Sequence, residues 1–273
     1  MGADDLMKIP VIPDGDALAR IALEAGAIIM RIYDTGCDVE SKADDSPVTI
    51  ADQQAEALIL ARLREVAPDL PVLAEEEVAA GRIPDLGHIY ACVDPLDGTR
   101  EFVNRNRDFT VNIAIIRDGR PVAGVIYAPA HGSLYVAAGE EHGWWAKVPV
   151  GAPLPEVEQR KQMRIRPATN PPCAVASRSH RTQETDEFLA RYCAGECVSA
   201  GSSLKFCLIA TGEADIYPRF GRTMEWDTAA GQAIVQAAGG KVLTLDGAPL
   251  SYGKAERGYD NPHFVVYGGL EPR

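Results

Sequence analysis

Apolar residues recur every three to four positions in two stretches near the N-terminus. Leu18, Ile21, Ala22, Ala25, Ile28, Ile29 and Ile32 form one stripe, and Arg20, Glu24 and Arg31 interrupt it. That spacing predicts an amphipathic core helix, with no uninterrupted apolar run long enough to cross a bilayer. Ala55, Leu58, Ile59, Leu63 and Val66 predict a second core-packed helix. The period then changes. Leu70-Pro71-Val72-Leu73 and Ile89-Tyr90-Ala91-Cys92-Val93 are short apolar runs of strand length. Residues 109–116 and 121–127 flank Arg117-Asp118-Gly119-Arg120, whose Asp-Gly pair marks a hairpin, and residues 134–138 predict a third strand.

The chain divides softly near residues 147–163. Pro149, Pro153 and Pro155, followed by a charged stretch through Arg166, read as a surface connection. Beyond it, short strands near Ala174, Val198 and Ile216 alternate with helices around residues 184–191, 203–211 and 228–238. Alternation of this kind predicts an α/β fold. The expected organisation is an N-terminal α+β half over residues 1–160 and a C-terminal α/β half over residues 161–273, with a site between them.

The chemistry concentrates in Asp94-Pro95-Leu96-Asp97-Gly98-Thr99, which follows the 89–93 run. The two carboxylates therefore emerge at the C-terminal end of a predicted strand, where open α/β sheets place ligands. Hard oxygen donors on a turn of fixed shape suit Mg²⁺, and Mg²⁺ in turn implies a phosphate. A haloacid-dehalogenase loop is excluded because its nucleophile position holds Pro95. An EF-hand is excluded because Val93 and Pro95 would fall at ligand positions. An acidic turn capping the next helix would carry the same residue types.

Three further segments bear on that choice. Trp226-Asp227-Thr228-Ala229-Ala230-Gly231 opens a predicted helix that stops at Gly239-Gly240. Asp227 sits where an N-cap belongs, yet a helix N-terminus also offers N–H groups to an anion. Glu75-Glu76-Glu77 reads either as a solvated acidic run or as a source of ligands. Residues 42–52 lead into the second helix, with Lys42 and Asp52 at its mouth.

Taken together, these segments resemble the lithium-sensitive, Mg²⁺-dependent phosphatase superfamily of inositol monophosphatases. Within it the resemblance is strongest to the bacterial 3'(2'),5'-bisphosphate nucleotidases. Further stretches that carry it are Ser177-Arg178-Ser179-His180, Gly201-Ser202-Ser203-Leu204-Lys205-Phe206 and Tyr217-Pro218-Arg219-Phe220-Gly221. The resemblance implies an α/β fold of layered αβαβα type, shared with fructose-1,6-bisphosphatase, and two or three Mg²⁺ ions. It implies that Glu75, Asp94, the Leu96 carbonyl, Asp97 and Asp227 hold metal, and that Asp52 with Thr99 activates water. Lys42 would assist the water network. Gly98, Thr99, Ser177, His180, Gly201, Lys205, Arg219 and Asp227 would contact substrate. Family members acting on inositol carry a glutamate at the Arg219 position; a cation there suits a second phosphate.

Composition narrows the partner. A formal charge of −12 argues against a nucleic-acid polymer, since phosphate backbones attract basic surfaces. An acidic protein that acts on small phosphates needs cations at its site. Six cysteines without a CxxC pair, and no secretory pattern at Met1-Gly2-Ala3-Asp4-Asp5, suggest reduced thiols in a cytoplasmic protein. The expectation is a monomer or homodimer, cytoplasmic or peripheral at the inner membrane. Its expected reaction is hydrolysis of adenosine 3',5'-bisphosphate to AMP and phosphate. Inositol or sugar phosphates are alternative substrates, and an inactive phosphate-ligand binding protein is the alternative outside enzymology.

Overall fold

Asp14 accepts the Ala17 N–H at 2.8 Å and so starts the first helix, α1 (Gly15–Thr35). Its stripe packs as the spacing predicts: Leu18, Ile21, Ala22, Ala25, Ile29 and Ile32 are buried and Ile28 is half-buried. The structure, a computed structural model, describes residues 10–36, 39–41, 47–139, 142–177, 182–192, 194–195 and 197–272. A two-stranded hairpin, β1 (Val39–Ser41) with β2 (Pro47–Thr49), leads into α2 (Ile50–Val66). The predicted face of α2 needs correction. Val66 is 42% exposed, Leu58 is only half-buried, and Leu60 is buried instead. Val66 is the last helical residue, past the end of the packed face.

The acid-bearing strand lies in a seven-stranded sheet. After β3 (Val72–Ala74) and the short α3 (Glu75–Ala79) come β4 (Ile89–Asp97), the single-turn α4 (Thr99–Val103), β5 (Thr110–Arg117) and β6 (Arg120–Ala128). β7 (Ser133–Ala138), β8 (Gly143–Lys147) and β9 (Lys161–Gln162) complete it in simple order from β3 to β9. β3 and β4 are parallel; every other neighbour pair is antiparallel. The acids therefore do not sit at the mouth of an open parallel sheet, as the sequence suggested. They lie on the last residues of β4, where the register shifts between Asp94 and Asp97. The β5–β6 hairpin forms as predicted, with Asp118 and Gly119 at φ +49° and +73°.

The charged stretch read as a surface connection also contributes an edge strand. β9 pairs Lys161 with Trp145 and Gln162 with Trp144. Just before it, the Arg160 guanidinium lies 4.3 Å from the Trp144 ring centroid and pairs with Asp16 at 2.8 Å.

A second, five-stranded sheet is built from β10 (Ala174–Ser177), α5 (Gln183–Arg191), β11 (Cys197–Ala200), α6 (Leu204–Ala210) and β12 (Ile216–Arg219). α7 (Glu225–Ala237), β13 (Lys241–Thr244) and β14 (Phe264–Tyr267) follow. Its order is β11-β10-β12-β14-β13, with β10 parallel to both neighbours and β14 antiparallel to both of its own. α1 and α2 cover one face of the first sheet, and α6 and α7 fill the space between the two sheets. α5 packs on the outer side of the second. These are the layers αβαβα of an α/β sandwich. At Gly124 on β6 an added Cβ would meet Ala230 O of α7 at 2.9 Å, so the absence of a side chain lets helix and sheet approach.

Among the described residues no helix is long and apolar enough to cross a membrane. Cys92, Cys173 and Cys207 are buried, and Cys197 is partly buried. Cys37 and Cys193 lie outside the described residues.

Candidate active site

The starts of three helices, α2, α3 and α7, and the end of β4 deliver the acids. α2 opens with a capping box: Asp52 Oδ2 accepts the Thr49 N–H at 2.7 Å and the Thr49 hydroxyl at 2.8 Å. Its other oxygen, Oδ1, accepts the Thr99 hydroxyl at 2.9 Å. Burial raises the Asp52 pKa from the ordinary carboxylate range to about 6, against the hydrogen bonds from Thr49 and Thr99. The Thr99 hydroxyl also lies 3.2 Å from the Leu96 carbonyl, and the Leu96 N–H donates to Asp94 Oδ1 at 3.0 Å. Gly98 makes this turn possible. Its φ is +93°, and a Cβ there would stand 2.9 Å from Asp108 O.

Asp227 is the third residue of α7, with Met224 at the N-cap, which corrects its assignment as the cap itself. Its Oδ2 accepts the Met224 N–H at 2.8 Å. Burial, together with the charges of Asp97 and Glu75, pushes its carboxyl above the ordinary range. Glu225, two residues earlier, ties the same helix end to the chain after β13. It accepts the Gly253 and Lys254 N–H groups, each at 2.8 Å, and pairs with Lys254 Nζ at 2.8 Å.

A cleft of about 270 Å³ opens between these ends. Glu75, Asp97, Gly98, Thr99, Lys205, Arg219 and Asp227, all singled out from the sequence, line it together. Asp52 and Asp94 are buried behind that wall. Among the described residues no three Asp, Glu, His or Cys side chains converge on one point as a coordination shell. They stand instead as neighbours, and Asp97 turns one oxygen toward Ser202 and Ser203.

The basic residues divide in their roles. Arg219, at the end of β12, lines the cleft and donates from Nη2 to Arg222 O at 3.0 Å, while its buried Nε has no hydrogen-bond partner among the described residues. Lys205 is not an exposed cation. It is 5% exposed, and its ammonium donates to Ser202 O and to Ala200 O, the latter at 3.5 Å. Burial lowers its pKa to about 8, with Asp97 opposing the shift. Gly201 lies behind the wall, its N–H given to Asp108 Oδ2 at 3.0 Å. Lys42 and His180, and the side chain of Ser177, lie outside the described residues.

Sequence reasoning passed over several residues here. Glu56 is buried one helical turn after Asp52 and accepts the Glu76 N–H at 2.8 Å, which holds the start of α3 and hence Glu75. Its pKa is raised to about 7, chiefly by burial. An acid on the apolar face of α2, four residues from Asp52, was the available signal. Asn112 was equally unmarked, and Ser202 and Ser203 entered only within the 201–206 stretch, with no role of their own. They are polar residues of strand and turn whose partners lie far away in the chain.

The fold, the paired carboxylates at helix and strand ends and the flanking arginine define a phosphatase-like site. The chain belongs to the inositol monophosphatase family, whose model matches residues 16–264. It is 46% identical over 253 residues to the Escherichia coli K12 protein named 3'(2'),5'-bisphosphate nucleotidase CysQ, covering 92% of this chain and 98% of that one. The crystal structure of CysQ from Bacteroides thetaiotaomicron is similar at 42% identity and a TM-score of 0.78, covering 94% of this chain and 98% of that one. An inositol monophosphatase of Thermotoga maritima shares the fold at 23% identity and a TM-score of 0.74, covering 93% of this chain and 92% of that one.

Proposed function

We propose that this protein is a Mg²⁺-dependent phosphatase that removes the 3'-phosphate of adenosine 3',5'-bisphosphate, releasing AMP and inorganic phosphate. The observation that carries this reading is that one cleft brings the acids Glu75, Asp97 and Asp227 together with Arg219. The names of relatives above 40% identity support the nucleotide over an inositol phosphate. The donor set fits Mg²⁺. It is all oxygen, and the upward push on Asp227 from Asp97 and Glu75 is repulsion that a divalent cation relieves.

Glu75, Asp94, the Leu96 carbonyl, Asp97 and Asp227 would hold two or three such ions. When bound, the ions supply charge neutralisation for the phosphoryl oxygens and for the departing oxygen. The remaining work falls to the protein. Thr99 accepts a proton from the attacking water and passes its own to Asp52 Oδ1, along the 2.9 Å hydrogen bond already formed. The water oxygen bonds to phosphorus as the bond to O3' breaks, and O3' takes up a proton from solvent. Arg219 orients the second phosphate and so selects a bisphosphate.

The test is phosphate release from a panel of nucleotide bisphosphates, inositol phosphates and sugar bisphosphates, with Mg²⁺ and with chelator. Preferred turnover of the nucleotide, lost with chelator and inhibited by lithium, is expected. Preference for an inositol or sugar phosphate would replace the substrate, and no turnover of any panel member would leave a binding protein.

A further inference from the structure

The structure assigns Ser202 and Ser203 as positioning residues that aim Asp97 into the cleft and thereby set how tightly that carboxylate holds a divalent cation. The inference rests on the reading above that Asp97 helps to bind Mg²⁺.

Both serine hydroxyls donate to the same oxygen. Ser202 Oγ and Ser203 Oγ each lie 2.8 Å from Asp97 Oδ2, and Asn112 Nδ2 approaches that atom at 3.4 Å. Oδ1 accepts no hydrogen bond among the described residues, and Asp97 lines the cleft. A carboxylate pinned through one oxygen has its rotation fixed and its second oxygen committed to whatever occupies the cleft. Outer contacts of this kind orient a ligand before the ion arrives.

Ser203 shows that this is more than ordinary helix capping. It is the N-cap of α6, a place where serine normally bonds to the backbone of its own helix, yet it makes no side-chain capping bond. Its hydroxyl is spent across the fold. It accepts from Asn112 Nδ2 at 2.9 Å and reaches Asp97 Oδ2 and, at 2.9 Å, Asp227 O. One buried hydroxyl thus touches the strand end of the first sheet and the first turn of α7. It does not line the cleft, so a direct contact with substrate is not its role.

The turn that carries the serines is itself held from several sides. Asp108 accepts the Gly201 N–H at 3.0 Å through Oδ2 and lies 3.0 Å from His131 Nε2 through Oδ1. Lys205 Nζ donates to the carbonyls of Ala200 and Ser202. Thr110 Oγ1 lies 2.5 Å from Ser202 Oγ and 2.9 Å from Asn112 Oδ1. Ser202 keeps a left-handed φ of +50°, a conformation that persists in a non-glycine residue when the surroundings over-determine it.

Calorimetric titration of the full-length, substrate-free protein with Mg²⁺ tests this. Ser203→Ala and Ser202→Ala should each weaken binding, and loss of such an outer contact typically reduces metal affinity about 10–100-fold. Thermal melts in EDTA report the fold separately. A merely structural serine would lower the EDTA melting temperature and leave the Mg²⁺ affinity of the folded protein unchanged. Affinities within about twofold of wild type in both folded variants would overturn the assignment while leaving the metal reading intact. A wild-type protein that takes up no Mg²⁺ would overturn both.

Discussion

Asp52 and Asp227 stand at the same place in their respective helices. Each is the third residue, and each gives one carboxylate oxygen to the N–H of its own N-cap, at 2.7 Å to Thr49 and 2.8 Å to Met224. Capping thus occupies one of the two oxygens of each side chain, and in Asp52 the other accepts the Thr99 hydroxyl. An aspartate suits this because its short stem cannot reorient once one oxygen is tied down, whereas a glutamate could swing away.

The Thr99–Asp52 hydrogen bond should matter in the rate rather than in binding. Thr99→Val keeps the shape and removes the proton path. kcat should fall by roughly 10²–10⁴, the range for lost general-base catalysis, with little change in product affinity. Steady-state kinetics with product-inhibition constants check this. A raised KM at constant kcat would make Thr99 a substrate-orienting residue.

Arg219 should discriminate between substrates. Arg219→Glu replaces a charge-assisted contact, worth about 1.5–3 kcal/mol, with repulsion. A ten- to hundred-fold or larger loss in kcat/KM is expected for the bisphosphate, at roughly that scale. An inositol monophosphate, which lacks the second phosphate, should be spared. The ratio of the two specificity constants cancels general damage, and an equal loss on both would make Arg219 a scaffold residue.

Glu56 should write a pH dependence into stability. Its folded pKa, raised to about 7, exceeds the ordinary glutamate value, so the folded chain holds a proton that the unfolded chain has released. Stability from this group is therefore intact below the unfolded pKa and declines as pH rises toward about 7, by about 2–3 kcal/mol in total. Glu56→Gln should remove that decline. Urea melts in EDTA at pH 5 and pH 8 should show the variant gaining on wild type at the higher pH. Parallel changes would refute the assignment.

Packing between α7 and β6 leaves no room at Gly124. Gly124→Ala would place a methyl carbon 2.9 Å from Ala230 O, so strand or helix must shift. Overpacking of this kind destabilises by about 1–3 kcal/mol, which a urea midpoint detects. Unchanged stability would mean that α7 can slide.

Much of this fold can be read from residue order. The stripe of α1, the Asp118-Gly119 hairpin and the alternation of short strands and helices after Cys173 all form as periodicity and turn chemistry predict. The edges are harder. β8 and β9 join through Trp144 and Trp145, and β9 is two exposed residues whose strand state exists only because a neighbour is there to pair. β13 and β14 are four residues each, and they find their partners across a long irregular segment. The cleft is legible in the same uneven way. Acids that cluster in short motifs, such as Asp94 and Asp97, announce themselves. Ser203, Asn112 and Glu56 act through contacts 106, 15 and 20 positions away in the chain, which no local pattern encodes.

The placement of Arg219 and its neighbours has a consequence for substrate engineering. All the acids but Glu75 are anchored in α2, β4 and α7, elements that are packed on the core. Arg219, the last residue of β12, and Arg222, in the loop that follows, also line the cleft, and the Arg222 side chain is 66% exposed. If the proposed reading holds, substitutions at Arg219 and Arg222 can change which phosphate ester is admitted while the packed elements that carry the acids stay as they are.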